Sequence, residues 1–195
     1  MLFTNHTHLT RCAWTANDPY LSDYHDKEWG RPLHDDQKLF EFLTLEGMQA
    51  GLSWLTVLKK RENFRQAFDQ FDPAIVAQYD EEKFDQLMAN PGIIRNRLKI
   101  RGAILNAQLF LNIQATHGSF DDFIWGYVGG QPIINHIEDI NDMPATSPLS
   151  DQISKDLKKM GFKFVGSTII YAFMQATGMV NDHTMDCFLY GQNLL

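Results

Sequence analysis

Apolar residues recur along this chain at helical spacing far more often than at strand spacing. Leu45, Met48, Leu52 and Leu55 follow steps of three and four, and Leu98, Ile104 or Leu105, Leu109 and Ile113 carry the same period through a second stretch. Strict apolar/polar alternation is scarce and valine occurs only five times, which weighs against a β protein. Local punctuation agrees. Asp72-Pro73 predicts a helix start, and Asp80 to Met88 predicts a helix ahead of the turn Asn90-Pro91-Gly92. A short helix is predicted from Asp151 to Met160, stopped by Gly161, and a buried, aromatic-rich one from Phe164 to Thr177, before Gly178. Gly129-Gly130, Met143-Pro144 and Ser147-Pro148 mark further turns. The reading is all-α, with roughly eight to ten short helices, no internal repeat, no low-complexity segment and no linker.

At 195 residues the chain is expected to be one compact unit over 1–195. No run approaches the length of a membrane-spanning helix, and Met1 to His6 lack the basic and apolar regions of a signal peptide. The two cysteines, Cys12 and Cys187, sit near opposite ends, so no disulfide framework is expected, and a cytoplasmic setting follows. The net charge of −7 argues against a generic nucleic-acid coat. Its distribution changes that picture. Of 17 basic residues, twelve fall in three segments: Lys59, Lys60, Arg61 and Arg65; Arg95, Arg97, Lys99 and Arg101; Lys155, Lys158, Lys159 and Lys163. Such segregation gives basic edges able to attract a polyanion, although solvated helix faces produce the same pattern.

Four groups of residues could carry chemistry. Trp14, Tyr20, Tyr24, His25 and Trp29 crowd a polar N-terminal stretch, either capping the body or walling a binding pocket. Cys12, His25, His183 and Cys187 form a complete tetrahedral donor set for zinc; the last two have i, i+4 spacing, which shares one face if that stretch is helical. The halves of this set lie far apart in sequence, and unrelated thiols and imidazoles remain the alternative. Asn90 to Arg97, between two helices, resembles a helix-hairpin-helix DNA-binding element spanning 80–111, with Ile94 where the commonest form has a second glycine. Its backbone N–H groups near Gly92 would suit a phosphate, with Arg95 and Arg97 beside them; an ordinary helix connection is the alternative. Glu46 is a lone acid in apolar helical sequence, either solvent-facing or held in a pocket. Trp54, two turns later, could share its face, and an anion beside an indole receives a flat cation well. His136-Ile137-Glu138 opens like a zinc-deaminase signature, but no Pro-Cys-x-x-Cys follows. HExxH, Walker A and G-x-S-x-G patterns are absent.

Cys12-Ala13-Trp14, Tyr24-His25-Asp26-Lys27-Glu28-Trp29-Gly30, Leu45 to Trp54, Gly161 to Thr168 and Asn181-Asp182-His183 together resemble the bacterial DNA-3-methyladenine glycosylase I family. The similarity runs from Arg11 to Cys187. It implies an all-α fold of the helix-hairpin-helix glycosylase superfamily. It also implies one structural Zn²⁺ on Cys12, His25, His183 and Cys187, joining segment 11–30 to segment 178–195. The family lacks the catalytic aspartate of related glycosylases, and the helix after Arg97 indeed holds no acid until well past Leu111.

The implied activity is that of a monofunctional glycosylase releasing 3-methyladenine from double-stranded DNA, working as a monomer with no membrane partner. Tyr24, Glu46 and Trp54 are the implied base contacts, with Trp14 closing the pocket and Glu46 the candidate catalytic residue. Leu52 is the candidate wedge that fills the space left in the duplex, and Gly92, Ile94, Arg95 and Arg97 are the candidate backbone contacts. Two rivals are a DNA-binding module without catalysis and a zinc hydrolase; four protein ligands would leave no open position for the latter.

Overall fold

The computed structural model describes residues 9–192; the stretch Met1 to His6, and both ends of the expected unit 1–195, lie outside or reach beyond them. Nine α-helices are found among the described residues. They are α1 (Pro19–Lys27), α2 (Asp36–Gln49), α3 (Trp54–Ala67), α4 (Pro73–Val76), α5 (Glu81–Ala89), α6 (Arg97–His117), α7 (Phe120–Trp125), α8 (Pro148–Met160) and α9 (Ser167–Ala176). Side-chain caps explain where most of them begin. Asp18, Asp35, Ser53, Asp72, Asp80, Asn96, Ser119 and Ser147 each accept a backbone N–H of the first turn. Each such bond satisfies a donor the helix itself cannot, worth typically ~1 kcal/mol. Gly161, at φ 103°, terminates α8 in the left-handed conformation, as the sequence predicts.

Helix α2 is the axis of the molecule. Leu39, Phe40, Leu43, Leu45 and Met48 on it are fully or almost fully buried, and it packs against α3, α6, α7 and α9. Phe40 on it meets Phe110 edge to face, and Phe110 stacks on Phe120 with ring centroids 4.2 Å apart.

Several expectations need correction. The apolar period from Leu45 to Leu55 does not belong to one helix. Helix α2 stops at Gln49, Gly51 takes φ 77°, and Ser53 caps a new helix, α3. Leu52 at that turn is 42% exposed, and Leu98, assigned by period to a buried face, is 73% exposed. The helix expected from Phe164 starts only at Ser167, because Phe164 adopts φ 55°. There its side chain wedges between two glycines, where a Cβ on Gly47 or Gly102 would meet it at 3.2 and 2.9 Å. The region of His183 to Cys187 is not helical either. Ile133–Ile134 (β1) pairs in parallel with Val180–Asn181 (β2), and an Ile137–Thr184 bridge continues the pairing toward the last metal donors. Beyond them Leu189, 2% exposed, anchors the C-terminal stretch in the core.

Candidate active site and metal centre

A cavity of about 180 Å³ lies where α1, α2, α3, α9 and the short 3-10 turn Ala13–Thr15 converge. Trp14, Tyr24, Trp29 and Trp54 wall it, and Glu46 reaches it from α2. The sequence placed Trp54 on the face of Glu46 along one helix; the structure brings them together from two helices joined by a tight turn. The rings do not stack on one another: Trp14 meets Trp29 edge to face at 5.0 Å, and Tyr24 meets Trp54 tilted at 5.4 Å. Met143, Gln49, Ala172 and Gln175 complete the lining. No spacing or composition signal marked these four, which arrive from a loop, the end of α2 and the middle of α9.

The polar atoms of this cavity are poised and unused. Glu46 is 3% exposed and its Oε2 has no hydrogen-bond partner; the same holds for the indole nitrogens of Trp14 and Trp54. Burial without a compensating donor pushes the Glu46 carboxyl up to about 8. Burial, then the negative charge of Glu46, likewise pushes the Tyr24 hydroxyl well above its ordinary range. A buried polar group without a partner costs free energy, so three in one small cavity mark a place built for a ligand with both donors and acceptors.

Arg61 on α3 is 8% exposed and donates to Glu41 at 2.6 Å and to Glu28 at 2.7 Å, with its guanidinium over the Phe42 ring. Arg61, counted above within a basic edge, is thus committed inward. Arg65 also pairs with Glu41, Arg101 pairs with Glu81, and Lys99 is buried. Arg95 and Arg97 are exposed, with Arg97 partly over the Phe84 ring. They flank the connection between α5 and α6. In that connection the N–H of Gly92 donates to the Asn90 side chain at 2.8 Å, Ile93 is buried, and Ile94 is half-buried. Lys60 donates to the carbonyls of Pro91 and Gly92. The Gly92 amide is therefore already occupied, and its carbonyl is tied to α3.

The metal donors do converge. The ligand atoms of Cys12, His25, His183 and Cys187 all lie within 4.8 Å of one another, and all four residues are buried. Cys12 Sγ is 3.5 Å from His183 Nδ1, and Cys187 Sγ is 3.4 Å from His25 Nε2 and 3.6 Å from His183 Nδ1. Tetrahedral coordination at the usual Zn–S and Zn–N lengths requires sulfur–nitrogen edges of ~3.6 Å, so the residues fit a metal ion. Their surroundings fit too. His25 Nδ1 lies 2.8 Å from Asp26 Oδ1, and Arg11 holds that carboxylate in a two-pronged pair. His183 Nε2 lies 3.3 Å from the Trp29 carbonyl. Each ring thus has an acceptor on its outer nitrogen, an arrangement that leaves the inner nitrogen to serve as a metal ligand. Backbone N–H groups of Thr184 and Leu189 donate to the two sulfurs. Hydrogen bonds from Cys12, His183 and His25 hold the Cys187 thiol down, favouring the thiolate that metals bind. Gly30 leaves the room required: a Cβ there would stand 2.9 Å from His183 Nε2.

A family model described as methyladenine glycosylase matches residues 14–190. The chain is 50% identical over 185 residues to DNA-3-methyladenine glycosylase 1 of Escherichia coli K12, covering 95% of this chain and 99% of that one. It is 49% identical over 178 residues to DNA-3-methyladenine glycosylase of Haemophilus influenzae, covering 91% and 96%. Among solved structures, one of 3-methyladenine DNA glycosylase I from Staphylococcus aureus, solved to explain 3-methyladenine recognition, superposes with a TM-score of 0.91 at 40% identity, covering 94% of this chain and 98% of that one. With the ring-walled cavity, the buried acid and the converging thiols and imidazoles, these matches over nearly the whole length establish that the chain belongs to the methyladenine glycosylase family.

Proposed function

We propose that the protein is a DNA repair glycosylase that hydrolyses the N-glycosidic bond of 3-methyladenine in alkylated double-stranded DNA, releasing the base and leaving an abasic site. The observation that carries this reading is Glu46: a buried carboxyl with an unpartnered oxygen, inside a cavity of aromatic faces. N3-methyladenine attached to deoxyribose is a delocalised cation. Its glycosidic bond breaks with the electron pair passing to the ring, so the base departs neutral and needs no proton from an acid. Water then bonds to C1′ and gives up a proton. The protein's work is to extrude the base, hold it and reject neutral adenine. A cation entering the cavity reverses the penalty that keeps Glu46 protonated, so the carboxylate forms where the positive charge arrives. A charge-assisted hydrogen bond of roughly 1.5–3 kcal/mol and cation–π contact of ~2 kcal/mol when desolvated would together favour the lesion by a few powers of ten. Tyr24 and Trp54 are assigned to the purine faces, Trp14 to closing the cavity, and Glu46 to the amino edge.

Leu52, exposed at the turn between α2 and α3, is assigned to filling the vacated stack. Ile94, Arg95 and Arg97, with the Gly92 turn shaping the connection, are assigned to backbone phosphates. The duplex is engaged by a monomer. The four-donor site is assigned to a structural Zn²⁺, which would close the donor set and fix segment 11–30 against 178–195. Two unlinked thiols given to a metal agree with a reducing, cytoplasmic setting; no described helix is long and apolar enough to cross a membrane. The test is to incubate the protein with methylated duplex DNA and identify the bases released. Release of 3-methyladenine by wild type, and its collapse in Glu46→Gln with the fold intact, is the expected result. Near-normal release by that variant would remove Glu46 from the mechanism.

A further inference from the structure

Lys99 is the third residue of α6, after the Asn96 cap, and is 8% exposed. Two features of the position work against a cation. Burial holds its ammonium below the usual lysine range, and the N-terminus of α6 carries the positive end of that helix's dipole. Among the described residues it makes no carboxylate pair; instead Nζ donates to the carbonyl of Met48 at 2.8 Å and to that of Ala50 at 2.6 Å. These carbonyls close the C-terminus of α2, where orphan acceptors and the negative dipole end favour a cationic donor. They also bracket the approach to Gly51-Leu52. Gly51 takes φ 77° with nothing within 4 Å of a Cβ built on it, and Leu52 projects from the turn. Helix α6, whose first residue follows the 90–96 connection directly, reaches the start of this turn through the Lys99 side chain.

We infer that Lys99 is a positioning residue for base extrusion, fixing the Gly51-Leu52 turn against α6 so that wedge and hairpin meet the duplex as one rigid piece. The inference rests on the assignment of Leu52 as the wedge. Without the ammonium, two helix-end carbonyls lose their donors and the turn swings at Gly51. Lys99 does not line the aromatic cavity, whose Trp14, Tyr24 and Trp29 come from outside the turn, so those walls stay in place. The defect therefore falls on opening the duplex rather than on holding the base.

Lys99→Met, Lys99→Arg and Leu52→Ala test this with three readouts. These are binding of free 3-methyladenine followed by tryptophan fluorescence, single-turnover excision from a methylated duplex, and the fluorescence of 2-aminopurine placed beside the lesion. Lys99→Met is expected to bind the free base within about twofold of wild type. It is also expected to excise from duplex about tenfold or more slowly, a loss of ~1.4 kcal/mol, and to unstack 2-aminopurine poorly, as Leu52→Ala does. Lys99→Arg should recover part of both duplex signals. If Lys99→Met opens and excises like wild type while Leu52→Ala is impaired, the positioning role is overturned and the wedge stands. An unimpaired Leu52→Ala overturns the wedge and this inference with it. Loss of free-base binding in step with a lowered melting temperature reduces Lys99 to a fold-stabilising contact and also overturns it.

Discussion

Glu46 couples recognition to stability through its proton. An unfolded glutamate titrates near ~4.3, whereas the buried group titrates at about 8. Below the lower value both states are protonated and the site costs nothing. Between them the unfolded chain releases a proton that the folded protein retains, so stability falls as pH rises; above about 8 the full penalty is present. Glu46→Gln removes the ionisation. Its melting temperature is expected to exceed that of wild type by a margin that grows from pH 5 to pH 8, and a pH-independent margin would contradict the assignment. Arg61 behaves oppositely. Removing it leaves buried Glu41 with Arg65 as its remaining partner and is expected to destabilise by about 1–3 kcal/mol, read by denaturant unfolding. The sequence marked Glu46 as a lone acid in an apolar run, but it could not decide between pocket and solvent. That choice depends on Trp14 and Tyr24 arriving from a distant segment. It also hid the inward commitment of Arg61, because a run of basic residues looks alike whether or not acids meet it in space.

Short helices need defined ends, and here the ends were the most legible feature. Asp72-Pro73 and Gly161 read correctly as start and stop because capping is local chemistry. The break after α2 was hidden, since Leu45, Met48, Leu52 and Leu55 keep helical spacing across it. Gly51 supplies the turn at φ 77°, and Leu52 there is exposed rather than packed. Phe164 was missed for a different reason. A phenylalanine at φ 55° contradicts local preference, at a cost of order 1–3 kcal/mol that only surrounding structure sustains. Its compensation is the niche between Gly47 on α2 and Gly102 on α6. Gly102→Ala would place a methyl 2.9 Å from the ring. It is expected to destabilise by about 1–3 kcal/mol and, because Gly47 adjoins Glu46, to weaken binding of free 3-methyladenine. Calorimetry of both quantities on one variant checks the link.

Across the whole molecule, the net charge is −7, yet Lys59, Arg95, Arg97, Lys155, Lys158, Lys159 and Lys163 are exposed. Arg95→Ala and Arg97→Ala are each expected to lower the slope of log affinity against log salt by about 0.9, the value for one phosphate contact on duplex DNA. Arg61→Ala should lower stability and leave that slope unchanged. A titration of DNA binding at several salt concentrations separates them. The four-donor site was legible as a set of residue types, and the family resemblance assigned it. Its geometry was not legible, because His183 and Cys187, i and i+4, do not lie on a helix but follow the β1–β2 pair through a bridge at Thr184 and a turn. Cys12→Ser is expected to reduce bound metal and melting temperature together. Were the donors at positions 12 and 187, which could hold one ion, to grip it, the polypeptide would behave as a ring whose seam is ionic. Cutting such a ring elsewhere should be tolerated, and a permuted chain opened at Gly129-Gly130, with its original ends linked, is expected to fold and keep its metal. A protease or unfoldase that must thread a free end meets the seam first. Resistance to such machinery should therefore vanish on chelation well before the helices themselves melt.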